Sequence, residues 1–238
     1  MPDTGFFIEN ISVEGPNRGN AVLSFSAGLN VVAGASNTGK TYVFKVIDFM
    51  LGGSEPPKSV PQANGYAEAF IQIRSKSGEI STLRRSLQGG DFLLYNVPVA
   101  EVANNEPVKT LGSKHEKENL DTVSGRLLEL SGLFGRELRT NAQGTKRSLS
   151  FRDIAWLSLI DEERIIAERS PALSGQVIHD TVEKNLLGLF LTGVDDTSVI
   201  TQEKPKERKA RIRAEIALLE QLITDRQERL KALEFEES

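Results

Sequence analysis

The stretch "GASNTGKT" (residues 34–41) satisfies the pattern G-x-x-x-x-G-K-[S/T], which describes a loop whose backbone N–H groups cradle phosphate oxygens. Eight positions can match by chance, so the neighbouring residues decide its meaning. Ahead of it, "GLNVVAGA" (28–35) is a short apolar run that predicts a buried strand entering the loop. Behind it, "TYVFKVIDFML" (41–51) places Val43, Phe44, Ile47 and Met50 at helical spacing, and Gly52-Gly53 follow as a stop signal. The loop therefore lies between a strand and a helix, the context its chemistry requires.

Each residue type has a reason to be there. Gly34 and Gly39 let the backbone fold tightly, so that the N–H groups of Ala35, Ser36, Asn37, Thr38 and their neighbours turn inward. Asn37 stands where a left-handed conformation is often needed, and asparagine tolerates that better than most side chains. Lys40 is placed to reach the β- and γ-phosphates and the Thr41 hydroxyl to hold Mg²⁺. A helix beginning near residue 40 adds its positive dipole end. The expected ligands are ATP and Mg²⁺.

The 238 residues allow one large or two modest domains, and the net charge of -4 gives no global basic footprint for nucleic acid. There is no cysteine, so disulfides and cysteine-ligated zinc are excluded within the sequence. No apolar run approaches the ~18–20 residues that span a bilayer, and "MPDTGFF" lacks a signal core. A soluble cytoplasmic protein with no membrane partner is the expectation.

"FFIENISVE" (6–14) and "AVLSFS" (21–26) alternate as strands on either side of "GPNRGN". After the proline-rich connection 54–65, "YAEAFIQIRS" (66–75), "EISTLRRSL" (79–87) and "DFLLYNV" (91–97) predict an antiparallel meander. Helices are expected over 119–134, 150–168 and 179–191, within a mostly helical part spanning about 113–191. From Ile212 onward, Ile216, Leu219, Ile223, Leu230 and Leu233 continue a spacing of four and three, interrupted only at Arg226. That is a heptad seam of about three repeats in a charged segment, so residues 201–238 read as a coiled-coil root and 1–200 as the globular part.

The antiparallel β-lead, "GLNVVAGASNTGKT" and "VFKVIDFMLGG" together resemble the amino-terminal head lobe of SMC/RecN-type ATPases of the ABC class. "AEAFIQIRSKSGEISTLRRSLQGGDFLLYN" is similar to that family's β-subdomain, and the tail resembles the start of its long coiled coil. The resemblance is tight over 20–53 and loose elsewhere. It implies an α/β P-loop NTPase fold: a head lobe with a parallel core, an antiparallel β-subdomain (66–97), a helical segment and a carboxy-terminal coiled-coil helix. It also implies ATP-dependent dimerisation of heads acting on DNA, in repair, chromosome maintenance or anti-phage defence. The resemblance also puts Tyr42, after Thr41, on the family's phosphate-loop positions, and Asn17 and Arg18 in the early turn where the family often contacts nucleotide. For the lid-loop glutamine of the family, "SLIDEERII" offers Asp161 and Glu162 instead, and Gln143 in "NAQGTK" is the alternative. Asp161 and Glu162 also suit a solvated helix end.

An ABC head further needs a signature segment and a strand ending in acids. "ALSGQ" (172–176) and "LGLFLTGVDD" (188–196) imitate both, and would make Asp195 a Mg²⁺ holder and Asp196 the group polarising water. Against this, Gly188 and Gly193 weaken a central strand, Asp is shorter than the Glu usual for that base, and both histidines, His115 and His179, precede Asp196. The plain alternative is a core helix end and turn. The true signature and acids would then come from a second lobe or subunit. "KPKERKARIR" (204–213) carries six basic residues and one acid where DNA could be touched, or simply begins a solvated coil. Arg84 and Arg85 likewise suit the exposed face of a strand. The rival functions are a non-hydrolysing nucleotide-binding coiled-coil assembly subunit and a small P-loop kinase.

Overall fold

The computed structural model describes residues 4–16, 18–58, 60–168, 170–199 and 205–236. Strands β1 (Phe6–Gly15), β2 (Arg18–Ser24), β3 (Glu68–Ser75), β4 (Ile80–Ser86), β5 (Phe92–Tyr95) and β6 (Lys109–Leu111) form one sheet in the order β2-β1-β3-β4-β5-β6. Every neighbouring pair in it is antiparallel. The meander is thus continuous with the leading strands rather than a separate layer, because β1 pairs along the whole length of β3. A parallel core is not among the described strand pairings. The only parallel pairing described is an isolated bridge, Gly112 to Thr122.

Alternation on β3 divides the molecule. Ala69, Ile71 and Ile73 face the main core, which they share with Val46, Phe49 and Met50 of helix α1 (Lys40–Met50). Leu127 and Leu128 of α2 (Val123–Leu130) and Phe151 and Ile154 of α3 (Phe151–Ser158) complete that core. Phe70 points the other way, into a small cluster with Tyr95 and Val102, the latter on a short 3-10 turn at Val99–Asn104. Such a two-sided strand has no solvent face.

The helices depart from expectation where capping intervenes. Thr122 accepts from the Gly125 N–H and starts α2 four residues later than the periodicity suggests. The expected helix over 150–168 is two helices, α3 and α4 (Glu162–Ile166), because Leu159 is extended and Asp161 caps the second by accepting from Arg164 N–H. Arg164 holds the break together, donating to the carbonyls of Trp156 and Leu159 and stacking 3.9 Å from the Trp156 ring. The segment expected to be helical also contains a hairpin, β7 (Glu137–Arg139) with β8 (Lys146–Ser148). Helix α5 (Val177–Thr192) packs on β7, and α6 (Pro205–Glu236) is a single long helix. Along α6 the described seam residues Ile212, Ile216, Leu219 and Ile223 are all exposed, so within the described residues the seam has no partner.

The expected strand over 28–35 is not formed. Residues 29–35 carry no regular structure, and Leu29, Val31 and Val32 are 90%, 80% and 46% exposed. A strand exists by pairing, and no neighbour lies beside this segment among the described residues.

Arg85 corrects the second strand expectation. It is not surface decoration but 4% exposed, and its guanidinium donates to the carbonyls of Phe49 (2.9 Å), Gly53 (2.8 Å) and Gly90 (2.9 Å). Phe49 and Phe92 sandwich it at 3.9 and 4.4 Å. Burial pushes its pKa down to about 10, which still leaves it charged at neutral pH. Its neighbour Arg84 faces outward and pairs with Glu68 at 2.5 Å.

Arg85→Met is expected to leave the buried Gly53 carbonyl unpaired and that of Phe49 with only the long bond from the Gly52 N–H (3.3 Å), and to lower unfolding free energy by about 2–4 kcal/mol. Urea denaturation measures it, and a loss near zero would mean that Arg85 carries no such load.

A second expectation concerns Asp153. Burial acts to raise its pKa, but the paired donors of Arg147 (2.7 and 2.8 Å) and the N–H and hydroxyl of Ser150 (2.9 Å each) prevail and hold it below the usual 3.8. A carboxylate depressed on folding stabilises above the unfolded pKa, and loses that contribution as pH falls through the folded one. Thermal melts from pH 5 downward should therefore show an acid-side loss that is reduced in Asp153→Asn.

Candidate functional site: a glycine-rich loop at a helix N-terminus

The first turn of α1 and the loop before it are the exposed side of an otherwise anchored helix. Its far end is fixed by Arg85 and by Arg152, which pairs with Asp48 at 2.8 Å. Gly53 admits no side chain there, since a Cβ would lie 2.9 Å from the Asp48 carbonyl oxygen. The near end is set by backbone conformation. Asn37 has φ 62° and Gly39 φ 90°, both left-handed, so the chain reverses sharply at each and enters the helix at Lys40. The left-handed requirement expected at Asn37 is present.

Among the described residues, the N–H groups from Ala35 to Tyr42 donate to no protein acceptor; the first that does is Val43, to Gly39 at 3.0 Å. These donors sit at the positive end of an eleven-residue helix, on an exposed loop. Lys40 is exposed too, its ammonium donating to the carbonyls of Gly34 (2.7 Å) and Ala35 (2.6 Å). The Thr41 side chain is exposed one residue on, and Tyr42 is half-buried, with burial and the neighbouring Tyr66 raising its pKa. Free N–H donors, an exposed cation and a hydroxyl are together suited to an anion of several oxygens.

Arg18, from the early turn, does not reach this loop through any contact described. It donates to the Asn64 carbonyl and lies 4.6 Å over the Tyr66 ring. Tyr66 in turn neighbours Tyr42, so the turn and the loop share a flank. Asn17 lies outside the described residues. Gln143 is exposed in the turn joining β7 to β8, and Glu162 is exposed in the first turn of α4. Asp161 serves as a helix cap, which is the plain role open to it.

The segment imitating a strand with terminal acids is corrected. Residues 188–192 are the last turns of α5, which Gly193 closes in a left-handed C-cap at φ 72°. Asp195 and Asp196 then lie along the edge of β7: their carboxylates accept from the N–H groups of Glu137 (3.3 Å) and Arg139 (2.8 Å). Burial acts to raise the Asp195 pKa, but hydrogen bonds from Thr197 and the Glu137 N–H, with Arg136 nearby, hold it low. Both acids are therefore occupied in closing a sheet edge. "ALSGQ" leaves a turn at residues 171–172 and runs without regular structure to α5, whose N-cap is Gln176. Among the described residues, no three acidic or histidine side chains gather as a metal-holding group.

Sequence reasoning placed Thr38 in the loop for its N–H but not for its hydroxyl, which turns inward to the Ala35 carbonyl at 2.8 Å, and it missed Tyr66, which stacks on Arg18. Nothing in the spacing of either residue signals this; both contacts arise from where the loop and turn fold back. Among the described residues no helix is long and apolar enough to cross a membrane. No protein-family model matches the chain, and no curated protein matches it.

The double variant Asp195→Asn, Asp196→Asn should lower thermal stability by removing charged acceptors from β7, while leaving ATP affinity within twofold of wild type, roughly experimental scatter. Calorimetric titration beside a melting curve reads both, and a large affinity loss would return these acids to the site.

Proposed function

We propose that the chain is the nucleotide-gripping lobe of an ATPase head similar to the SMC/RecN type, an α/β P-loop unit whose signature and catalytic acids come from a second lobe or subunit. One observation carries the reading: a row of free backbone N–H groups at an anchored helix N-terminus, with Asn37 and Gly39 both left-handed and Lys40 exposed within it. Gly34 through Tyr42 would surround the triphosphate of ATP, Lys40 neutralising its β- and γ-oxygens and the Thr41 hydroxyl holding Mg²⁺. When bound, the ion would draw charge from the phosphates and so ease attack by water.

Leu29, Val31 and Val32 support the incompleteness of the lobe. An apolar run feeding such a loop belongs in the middle of a sheet, and here it is exposed. A strand from the second lobe would pair with it and bury it. The acids of that lobe would then stand beside the loop, a place that Asp195 and Asp196 do not take. Dimerisation around ATP, DNA contact through the exposed Arg208, Lys209 and Arg213 of α6, and a cytoplasmic location belong to the same proposal. In repair, chromosome maintenance or defence, the head would couple ATP turnover to movement of DNA.

A second reading is favoured by the engagement of Asp195 and Asp196 elsewhere: a nucleotide-binding assembly subunit that does not hydrolyse. Turnover of ATP in the presence of the second lobe separates the two. The binding claim is tested first. Lys40→Ala should weaken ATP binding at least tenfold, about 1.4 kcal/mol or more, without a shift in melting temperature, since Lys40 is exposed. Equal affinity of variant and wild type would remove the reading.

A further inference from the structure

The loop closes on its own lysine, and the closure has a second fastening. The Ala35 carbonyl accepts two hydrogen bonds, from the Lys40 ammonium at 2.6 Å and from the Thr38 hydroxyl at 2.8 Å. The Gly34 carbonyl accepts a third, from Lys40 at 2.7 Å. Thr38 Oγ1 and Lys40 Nζ are 3.4 Å apart, so hydroxyl and ammonium converge on the same oxygen. Gly34 makes room for this, because a Cβ there would lie 2.8 Å from Thr38 Oγ1. Both lone pairs of the Ala35 oxygen are thereby used.

We propose that Thr38 is a positioning residue: its hydroxyl latches the loop closed over Lys40 and so sets how readily a triphosphate enters. The proposal rests on the reading of the loop as a nucleotide site. For Lys40 to meet an outside anion it must leave two carbonyls, and an ammonium that leaves can return only while those carbonyls still face it. Lys40 cannot hold them once it has gone. The Thr38 hydroxyl can hold that of Ala35, because its bond there does not pass through the lysine. The latch therefore favours the closed loop, and a ligand that requires the open one binds with an affinity reduced by the closed fraction. One neutral, exposed hydrogen bond shifts such an equilibrium by roughly two- to tenfold. Thr38, Ala35 and Lys40 are all exposed, so the device can be removed without touching the core.

The test compares Thr38→Val, which keeps the shape and loses the donor, with Thr38→Ser, which keeps the donor. Without ligand, exchange of the Lys40 ammonium hydrogens with water, read by NMR at low temperature, should quicken in Thr38→Val and stay at the wild-type rate in Thr38→Ser, since the closed loop holds that ammonium on two carbonyls. With ATP and, separately, inorganic triphosphate, Thr38→Val should bind roughly two- to tenfold tighter, and faster, while Thr38→Ser matches wild type. An equal gain for both ligands places the effect at the phosphate end. Unchanged exchange in Thr38→Val overturns the latch. Quickened exchange with weaker binding also overturns it, because the hydroxyl would then be touching the ligand. Quickened exchange with no binding by any of the three proteins supports the latch and overturns the nucleotide reading instead.

Discussion

A buried cation without a carboxylate holds this fold in register. Arg85 satisfies its charge with three backbone carbonyls and two aromatic faces, and two of those carbonyls, of Phe49 and Gly53, belong to the end of α1 and the turn that follows it. Carbonyls at a helix C-terminus are the negative end of the helix dipole and lack intrahelical donors. A guanidinium is well fitted to them, being planar, rich in donors and more weakly hydrated than an ammonium. Because Arg85 lies on β4, the meander and the helix are joined at the end opposite the loop. The loop can then differ in conformation while its helix stays in place.

That arrangement explains the contrast between the two ends of α1. At the C-terminal end, Arg85, Arg152 and the close approach at Gly53 leave little freedom. At the N-terminal end, the side chains are exposed and the backbone donors from Ala35 to Tyr42 have no protein acceptor among the described residues. A polar group unpaired in the interior would be costly, whereas at the surface water meets the need. The loop is therefore tolerable to the fold and open to a ligand for the same reason.

Much of this was legible beforehand. The alternation of 6–14 and of the three meander runs gave the sheet, and the switch to helical spacing after Lys40 gave α1. Asn37 could be assigned left-handed backbone from its place in the loop, and Gly39 a tight turn, which proves left-handed as well. The failures have physical causes. "GLNVVAGA" reads as a strand by composition, but strand formation depends on a neighbour that local sequence does not contain. "GLFLTGVDD" is no failure: a short apolar run carries no decisive period, and the plain alternative of a helix end and turn, in line with the helix expected over 179–191, is what forms, with Gly193 ending it. The hairpin 137–148 has three-residue strands, too short for alternation to register. Arg85 was the recoverable miss. Adjacent residues of a strand point to opposite faces, so Arg84 and Arg85 could not both lie on one exposed face, and one of them had to point toward the core.

The uncovered run at Leu29–Val32 has a cost in the cell. It follows β2, an edge strand whose residues are mostly exposed and whose outer backbone groups face no neighbour in the sheet. Open edge and greasy run together make a template that any extended apolar peptide could match. Aggregation and degradation would compete for this surface during synthesis, so the abundance of the protein should follow how promptly the surface is masked.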